Sequence, residues 1–168
     1  MHDGEVGHRA TDRALQPKRE DVHNIEVEQG LLGGVLSDSE VADAAAEIVT
    51  GADFFDPLHA KIFETVQSLR AGKRFSVELL KGTLGGIESV SDTMTVSQYI
   101  DALLRHTSVT IVTVRDYARS LRDLSARRKA MAVGAAVATA AADLGEDVTE
   151  AGRAAVAELD DVIASVRD

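Results

Sequence analysis

His59 is the residue whose type and surroundings most suggest acid–base chemistry. It lies six residues after Asp53, three after Asp56 and two before Lys61, and an imidazole beside carboxylates can move protons near neutral pH. The other interpretation is a histidine in the first turns of a helix, packed beside Phe55 and hydrogen-bonded locally. No nucleophile or oxyanion donor is recognisable nearby, which favours the structural interpretation.

Two further groups invite an ion-binding interpretation, but their spacing argues against it. Glu158, Asp160 and Asp161 lack the loop spacing and central glycine of a calcium site, so we expect a solvated helix face. The pair Gly33-Gly34 has no Lys-Ser or Lys-Thr after it and is not a phosphate loop. Because glycine weakens a helix, we expect another element to approach the backbone there. The sequence thus predicts no catalytic residue, metal site or bound cofactor in this chain.

The composition restricts the classes of function that the chain can have. Its formal net charge is -10 over 168 residues, and proteins that grip the phosphate backbone usually carry a basic excess, so strong direct DNA binding is not expected. The absence of cysteine excludes disulfides, thiol catalysis and cysteine-bound zinc. No apolar run approaches the roughly 20 residues that cross a bilayer. We therefore expect no membrane contact and a cytoplasmic location.

Apolar spacing and capping residues predict an all-α fold, a compact bundle of about six helices with a helical hairpin and a C-terminal linker helix. The best local signal is Asp56-Pro57, an N-cap with proline at the first helical position. Gly72 is expected to close that helix, and Asn24 and Ser76 are expected to cap two others. The predicted helices cover about 24–36, 39–49, 57–70, 76–84, 96–106, 109–144 and 149–166.

The segment 108–114 carries two conflicting signals. Its sequence Ser-Val-Thr-Ile-Val-Thr-Val alternates and is rich in β-branched residues, which favours a strand. It nevertheless runs directly into a helical pattern, and a single strand without a partner is unstable. We therefore predict a helix from about Val109 that forms a helical hairpin with 96–106 across a tight turn.

The last predicted helix has an apolar stripe with no obvious partner within the chain. The stripe residues recur at spacings of three and four, beyond a break at 145–147. Since short isolated helices are marginal in water, we predict that the stripe contacts another subunit. The hairpin supplies the other candidate contacts, with an intramolecular core as the alternative. The predicted partner residues are Tyr99, Leu103, Leu104, Ile111, Val114, Tyr117, Leu121, Val156, Leu159, Ile163 and Val166.

Two linked motifs carry a resemblance to a known family. In the first, an acidic-x-Glu-Gln run leads to Leu-Gly; in the second, Asp-Phe-Phe is followed four residues later by His and then by Ile-Phe. Their residues are Glu26, Glu28, Gln29, Leu32 and Gly33, then Asp53, Phe54, Phe55, His59, Ile62 and Phe63. From about residue 23 to its end, the chain resembles the N-terminal helical domain of the replicative DNA helicase family DnaB.

The resemblance implies an N-terminal collar that scaffolds a hexameric helicase. In the family, hairpins of neighbouring subunits pair into a ring of dimers, the linker helix packs against the next subunit's motor domain, and the collar docks primase and, in some systems, a helicase loader. ATP, Mg²⁺ and unwinding activity are expected only in a full-length parent, and DNA contact only indirectly through the assembled ring. The alternative is a free-standing adaptor or inhibitor that binds a complete helicase.

The residue patterns and the resemblance together predict a division of the chain into three parts, with the first part lacking apolar periodicity. These are a flexible arm over 1–22, the DnaB-like helical domain over 23–128, and a hairpin extension with the linker helix over 129–168.

Overall fold

The computed structural model of this chain describes residues 22–86, 90–105 and 108–167, and these residues form an all-α fold, as predicted. Among them, the only β-type pairing is an isolated bridge between Ser91 and Met94. The predicted arm, apart from Val22, and the predicted turn at 106–107 lie outside the described residues. The α-helices are α1 (Ile25–Ser37), α2 (Ser39–Ala46), α3 (Pro57–Ala71), α4 (Val77–Leu84), α5 (Val96–Arg105), α6 (Val114–Ala142) and α7 (Val148–Arg167), and a short 3-10 helix covers Gly51–Asp53.

Helix α1 lies at the centre of the bundle. All six residues from 31 to 36 are buried, and a helix that is apolar on every side must be covered on every side. Helices α2, α3, α5 and α6 all pack against it. Their main contributions to the shared core include Val41, Ile62, Ile100 and Leu121, each of which is fully buried.

Local capping explains where the first helices begin and end. Asn24 accepts a hydrogen bond from the Val27 amide at 3.1 Å, as predicted. Asp38 serves two helices at once: its amide donates to the Gly34 carbonyl at the end of α1, and its carboxylate accepts from the Glu40 amide at 2.8 Å at the start of α2. The two helices therefore meet with a single residue between them.

The start of α3 agrees with the prediction, and Gly72 is the C-cap at its end, as predicted. Asp56 caps the start and accepts from the Leu58 amide at 2.7 Å, with Pro57 at the first position. Gly72 has an ordinary φ of -78°, whereas Lys73 takes the left-handed φ of 53°. The Lys73 amide bonds the Arg70 carbonyl at 2.8 Å, so the residue that reverses the chain carries a side chain.

The prediction that a helix begins near Val109 is wrong. Residues 108–110 have no regular structure, 111–113 form a turn, and α6 starts at Val114. Val109 is 5% exposed and lies against Gly34 of α1. Every residue from 109 to 114 is β-branched, and such side chains lose rotamer freedom in a helix. The core contact of Val109 therefore holds an irregular backbone instead of a helix or a strand.

The long helix α6 joins the bundle to a projecting hairpin. Helix α6 packs on α1, α2 and the 3-10 helix and also pairs with α7, whose Val166 lines a pocket with Arg115 and Arg119 near the start of α6. The extensive helical pair is thus α6 with α7, whereas α5 packs mainly on α1 and α4, which corrects the predicted pairing of 96–106 with the following helix. Helix α6 crosses the predicted domain boundary at 128–129 without a break. No helix in the described ranges is long and apolar enough to span a membrane.

Candidate functional site

A chain of hydrogen bonds links three helices at the position of the predicted acid–base residue. Glu28 of α1 is fully buried, and its Oε2 lies 2.6 Å from Nδ1 of His59 on α3. His59 Nε2 lies 2.6 Å from the hydroxyl of Tyr99 on α5, and the Gln29 side-chain amide donates to the same hydroxyl at 2.9 Å. The imidazole is 1% exposed and stacks on the Tyr99 ring, with centroids 5.8 Å apart. The ring stacked on it is thus Tyr99, while Phe55, beside which it was predicted to pack, stacks on His23.

The direction of each hydrogen bond in this chain follows from the carboxylate. Glu28 also accepts from the Phe55 amide at 2.6 Å and from the Asp56 amide at 3.3 Å. A carboxylate only accepts, so His59 Nδ1 donates to it, and in the neutral imidazole Nε2 is then an acceptor. In this tautomer of the neutral imidazole, Tyr99 donates its hydroxyl hydrogen to His59.

The electrostatics of this hydrogen-bond chain suit a structural role better than catalysis. Burial raises the pKa of the Tyr99 phenol above its usual value of 10.0; the Gln29 hydrogen bond opposes this shift, and the charges of Asp56 and Glu28 add to it. Tyr99 therefore stays neutral near pH 7 and is a poor nucleophile. These hydrogen bonds fix α1, α3 and α5 relative to one another. They also give the buried polar groups of the three helices hydrogen-bond partners.

The remaining motif residues hold the same region together. Phe54 packs on Phe63 of α3 with ring centroids 5.2 Å apart. Phe55 instead stacks on His23 at 4.2 Å. Leu32, Gly33, Ile62 and Phe63 are all buried. The predicted close approach to the glycine pair is confirmed at Gly34, where a Cβ would lie 3.0 Å from the Val109 carbonyl oxygen.

Arg128 is a structural residue that apolar spacing alone does not reveal. It is 6% exposed, donates to the Asp53 carbonyl at 2.6 Å and to the Val22 carbonyl at 2.9 Å, and lies 5.7 Å from the centre of the Phe55 ring. The sequence indicates its burial only through its spacing: Arg128 lies seven residues after Leu121 and so on the same, buried face of α6. It joins the long helix to the loop that precedes α3.

The structure divides the predicted partner residues into three groups. Leu103, Val114 and Leu121 are at most 4% exposed and belong to the core, so the prediction that they contact a partner is wrong. Tyr99, Leu104 and Tyr117 are half-buried against that core, and Ile111 is exposed in the turn before α6. The residues of α7 form the third group.

Helix α7 has an intramolecular partner and still presents its apolar stripe to solvent. Small residues, among them Ala151 and Ala155, face α6 and are half-buried. The stripe lies beside this face, and its residues are exposed by 60% at Val156, 36% at Leu159, 49% at Ile163 and 46% at Val166. Val148, at 51%, extends the stripe by two turns; the predicted helix began one residue too late to include it.

The described residues contain no group of three or more His, Cys, Asp or Glu side chains placed to hold a metal ion. The arrangement described above, a rigid bundle with an amphipathic hairpin, is suited to binding other polypeptides.

Comparison with known proteins gives consistent results. The family model described as the DnaB-like helicase N terminal domain matches residues 20–123. The chain is 31% identical to the replicative DNA helicase DnaB of Treponema pallidum over 112 residues, which are 66% of this chain and 25% of that protein. It is 23% identical to the replicative DNA helicase DnaB of Rickettsia felis over 111 residues, 66% of this chain and 22% of that protein. The chain thus spans about a quarter or less of these relatives.

A solved structure extends the likeness to the fold. The crystal structure of the N-terminal domain of DnaB helicase from Mycobacterium tuberculosis aligns with a TM-score of 0.71 and 22% identity, covering 87% of this chain and 99% of that one. This coverage exceeds the segment that the family model matches, so the shared fold extends beyond residue 123.

Proposed function

Because the chain belongs to the DnaB-like helicase N-terminal domain family, we propose that it serves as the collar of a hexameric replicative helicase, where it associates with copies of itself and docks primase or a helicase loader. ATP hydrolysis and unwinding then belong to a motor domain elsewhere in the full-length protein. The observation that carries the proposal is the exposed apolar stripe of α7.

The stripe has the properties of a self-association surface. Its large apolar side chains lie in one row along a helix of 20 residues, and monomeric proteins rarely expose contiguous apolar patches of this kind. Burying the exposed half of each side chain is worth roughly 1 kcal/mol. A two-fold contact would use the row on both copies and so double the gain.

The long helix α6 supports the same function because it connects the bundle rigidly to the hairpin. Helix α6 is continuous from the core to the hairpin, so the stripe is held at a fixed orientation relative to the bundle. A rigid hairpin loses little conformational freedom when it associates, which favours binding. Primase or a loader would then recognise a surface composed of several copies, and such a surface would exist only in the assembled ring.

Light scattering across a concentration series tests self-association of the chain. We expect dimers or larger assemblies for the unchanged protein. For Ile163→Glu we expect a shift to monomer, with the dissociation constant of the assembly raised by more than about tenfold. Ala164→Glu is the matched control, because it adds the same charge at the next, exposed position of α7. A chain that stays monomeric at every concentration, or equal behaviour of the two variants, would refute self-association through this stripe.

Primase docking is tested by size-exclusion chromatography of the chain mixed with a purified bacterial primase. Co-elution that Ile163→Glu abolishes and Ala164→Glu preserves is expected if primase recognises the assembled collar. If the chain is a monomer that binds an intact helicase, it is instead an adaptor.

A further inference from the structure

A pocket lies between α1, α5 and the start of α6, on the bundle and away from the α7 stripe. Its volume is about 340 Å³, and it opens to solvent. Its walls combine two aromatic rings, polar side chains of α1 and a short apolar floor. The lining residues are Glu26, Gln29, Gly30, Tyr99, Ala102, Leu103, Ser108 and Tyr117.

The buried hydrogen-bond chain determines which hydrogen-bonding groups the pocket offers. With a neutral His59, Tyr99 gives its hydroxyl hydrogen to the imidazole and accepts from Gln29, so its oxygen retains one lone pair as an acceptor for a ligand. The Gln29 side chain uses one of its two N–H hydrogens on Tyr99, so its carbonyl oxygen and its second N–H remain for a ligand. The Glu28 carboxylate acts on this set through His59, which it bonds at 2.6 Å.

The mouth of the pocket carries an uncompensated negative charge. Glu26 is exposed and forms no ion pair with any residue in the described part of the chain. It lies one helical turn before Gln29 on α1, so the two side chains are neighbours on one face. Among the described residues, no lysine or arginine lines the pocket. A ligand that carries several hydrogen-bond donors together with positive charge therefore complements Glu26 and the acceptor oxygens of Gln29 and Tyr99.

The aromatic rings restrict the shape of that ligand. The Tyr117 ring lies against the backbone at Gly30, where a Cβ would be 3.0 Å from Tyr117 Cε1. The Tyr99 ring is held by its stacking on His59. A guanidinium is planar, carries five N–H donors and stacks on aromatic faces. Its aliphatic stem can pack on Ala102 and Leu103 at the floor.

We propose that this pocket binds an arginine side chain of a partner polypeptide, with Glu26, the Gln29 carbonyl oxygen and the Tyr99 oxygen as acceptors. The net charge of -10 attracts a basic segment and so favours the encounter. The site does not depend on the hairpin, so it binds arginine whether or not the chain self-associates.

The test is an NMR titration of the complete chain, labelled with ¹⁵N, with three capped tripeptides Gly-X-Gly. X is arginine in the first, lysine in the second and citrulline in the third; citrulline has nearly the shape of arginine without its charge. We expect the arginine peptide to shift the amide signals of Gly30, Ala102 and Ser108, and the citrulline peptide to bind at least about tenfold more weakly, because its hydrogen bonds lack the charge.

Two variants assign the binding to the pocket. Glu26→Gln is expected to weaken the arginine peptide by about tenfold, the factor that corresponds to loss of a charge-assisted contact. Glu40→Gln is the matched control, since Glu40 occupies the first turn of α2 as Glu26 does in α1 and its loss changes the net charge equally. The proposal is overturned if citrulline or lysine binds as well as arginine, if both variants behave alike, or if the shifts occur at another site.

Discussion

Replacement of Glu28 by glutamine tests whether the buried hydrogen-bond chain stabilises the bundle. The carboxylate accepts from the Phe55 and Asp56 amides and from His59 Nδ1, at 2.6, 3.3 and 2.6 Å, and it is fully buried. Glutamine has one acceptor oxygen and one NH₂ donor, so at least one of the three donors faces another donor. An unsatisfied buried group together with the lost charge-assisted bonds amounts to about 3 kcal/mol of unfolding free energy.

Urea unfolding followed by circular dichroism measures this loss. In thermal unfolding of a chain of this size, a loss of about 3 kcal/mol corresponds to a fall in Tm of roughly 6–12 °C. Glu26→Gln is the control on the same helix: it is exposed and loses only its interaction with the helix dipole, about 0.5 kcal/mol. A loss below about 1 kcal/mol for Glu28→Gln, or equal losses for the two variants, would refute the reasoning.

Three further predictions use the same unfolding assay. Gly34→Ala should destabilise by about 1–3 kcal/mol, because its Cβ would meet Val109 backbone at 3.0 Å, whereas Gly134→Ala should stabilise by about 0.5–1 kcal/mol, since nothing lies within 4 Å; the same sign for both would contradict this. Lys73→Gly should stabilise by roughly 0.5–1 kcal/mol by relieving a left-handed φ of 53°, and no gain would show that the conformation is unstrained. Because the folded pKa of Tyr99 is raised above 10.0, the unfolded chain loses this proton first, and stability should fall as pH rises above about 10; an unchanged pH slope in Tyr99→Phe would exclude that residue as the source.

Local sequence signals predicted the helix starts well. Asn24, Asp56 and Ser76 all cap the helices expected of them, because a cap depends only on the next three residues. Gly72 closes α3 as expected, but the left-handed residue at this end is Lys73 and not the glycine. In the left-handed conformation, a residue with a side chain is disfavoured relative to glycine by only about 1–2 kcal/mol, and the surrounding packing can override this preference.

Contacts between distant residues could not be predicted from local patterns. The irregular path of 108–113 depends on Val109 meeting Gly34, which lies 75 residues earlier. The side chain of Arg128 bonds a carbonyl 75 residues before it. Both contacts join separate segments, so no window of neighbouring residues contains the information.

The candidate surfaces illustrate a related limit. Apolar spacing identified the apolar faces of α5, α6 and α7, but it could not predict which of these faces the chain itself buries. Leu103 and Leu121 are covered by the chain itself, whereas Val156 and Ile163 are not. The difference depends on which helices pack together, and only the tertiary structure contains that information.

The unbroken path of α6 has a consequence for changes in chain length. Every residue from 114 to 142 is helical, and each residue turns an α-helix by about 100°. One residue inserted between the part of α6 that packs on the bundle and the part that pairs with α7 would therefore rotate the hairpin by about 100° around the helix axis and point its stripe in another direction. Seven residues would nearly restore the direction, while moving the hairpin outward by about 10 Å. Homologues that keep the same contact should thus differ in length here by whole helical turns.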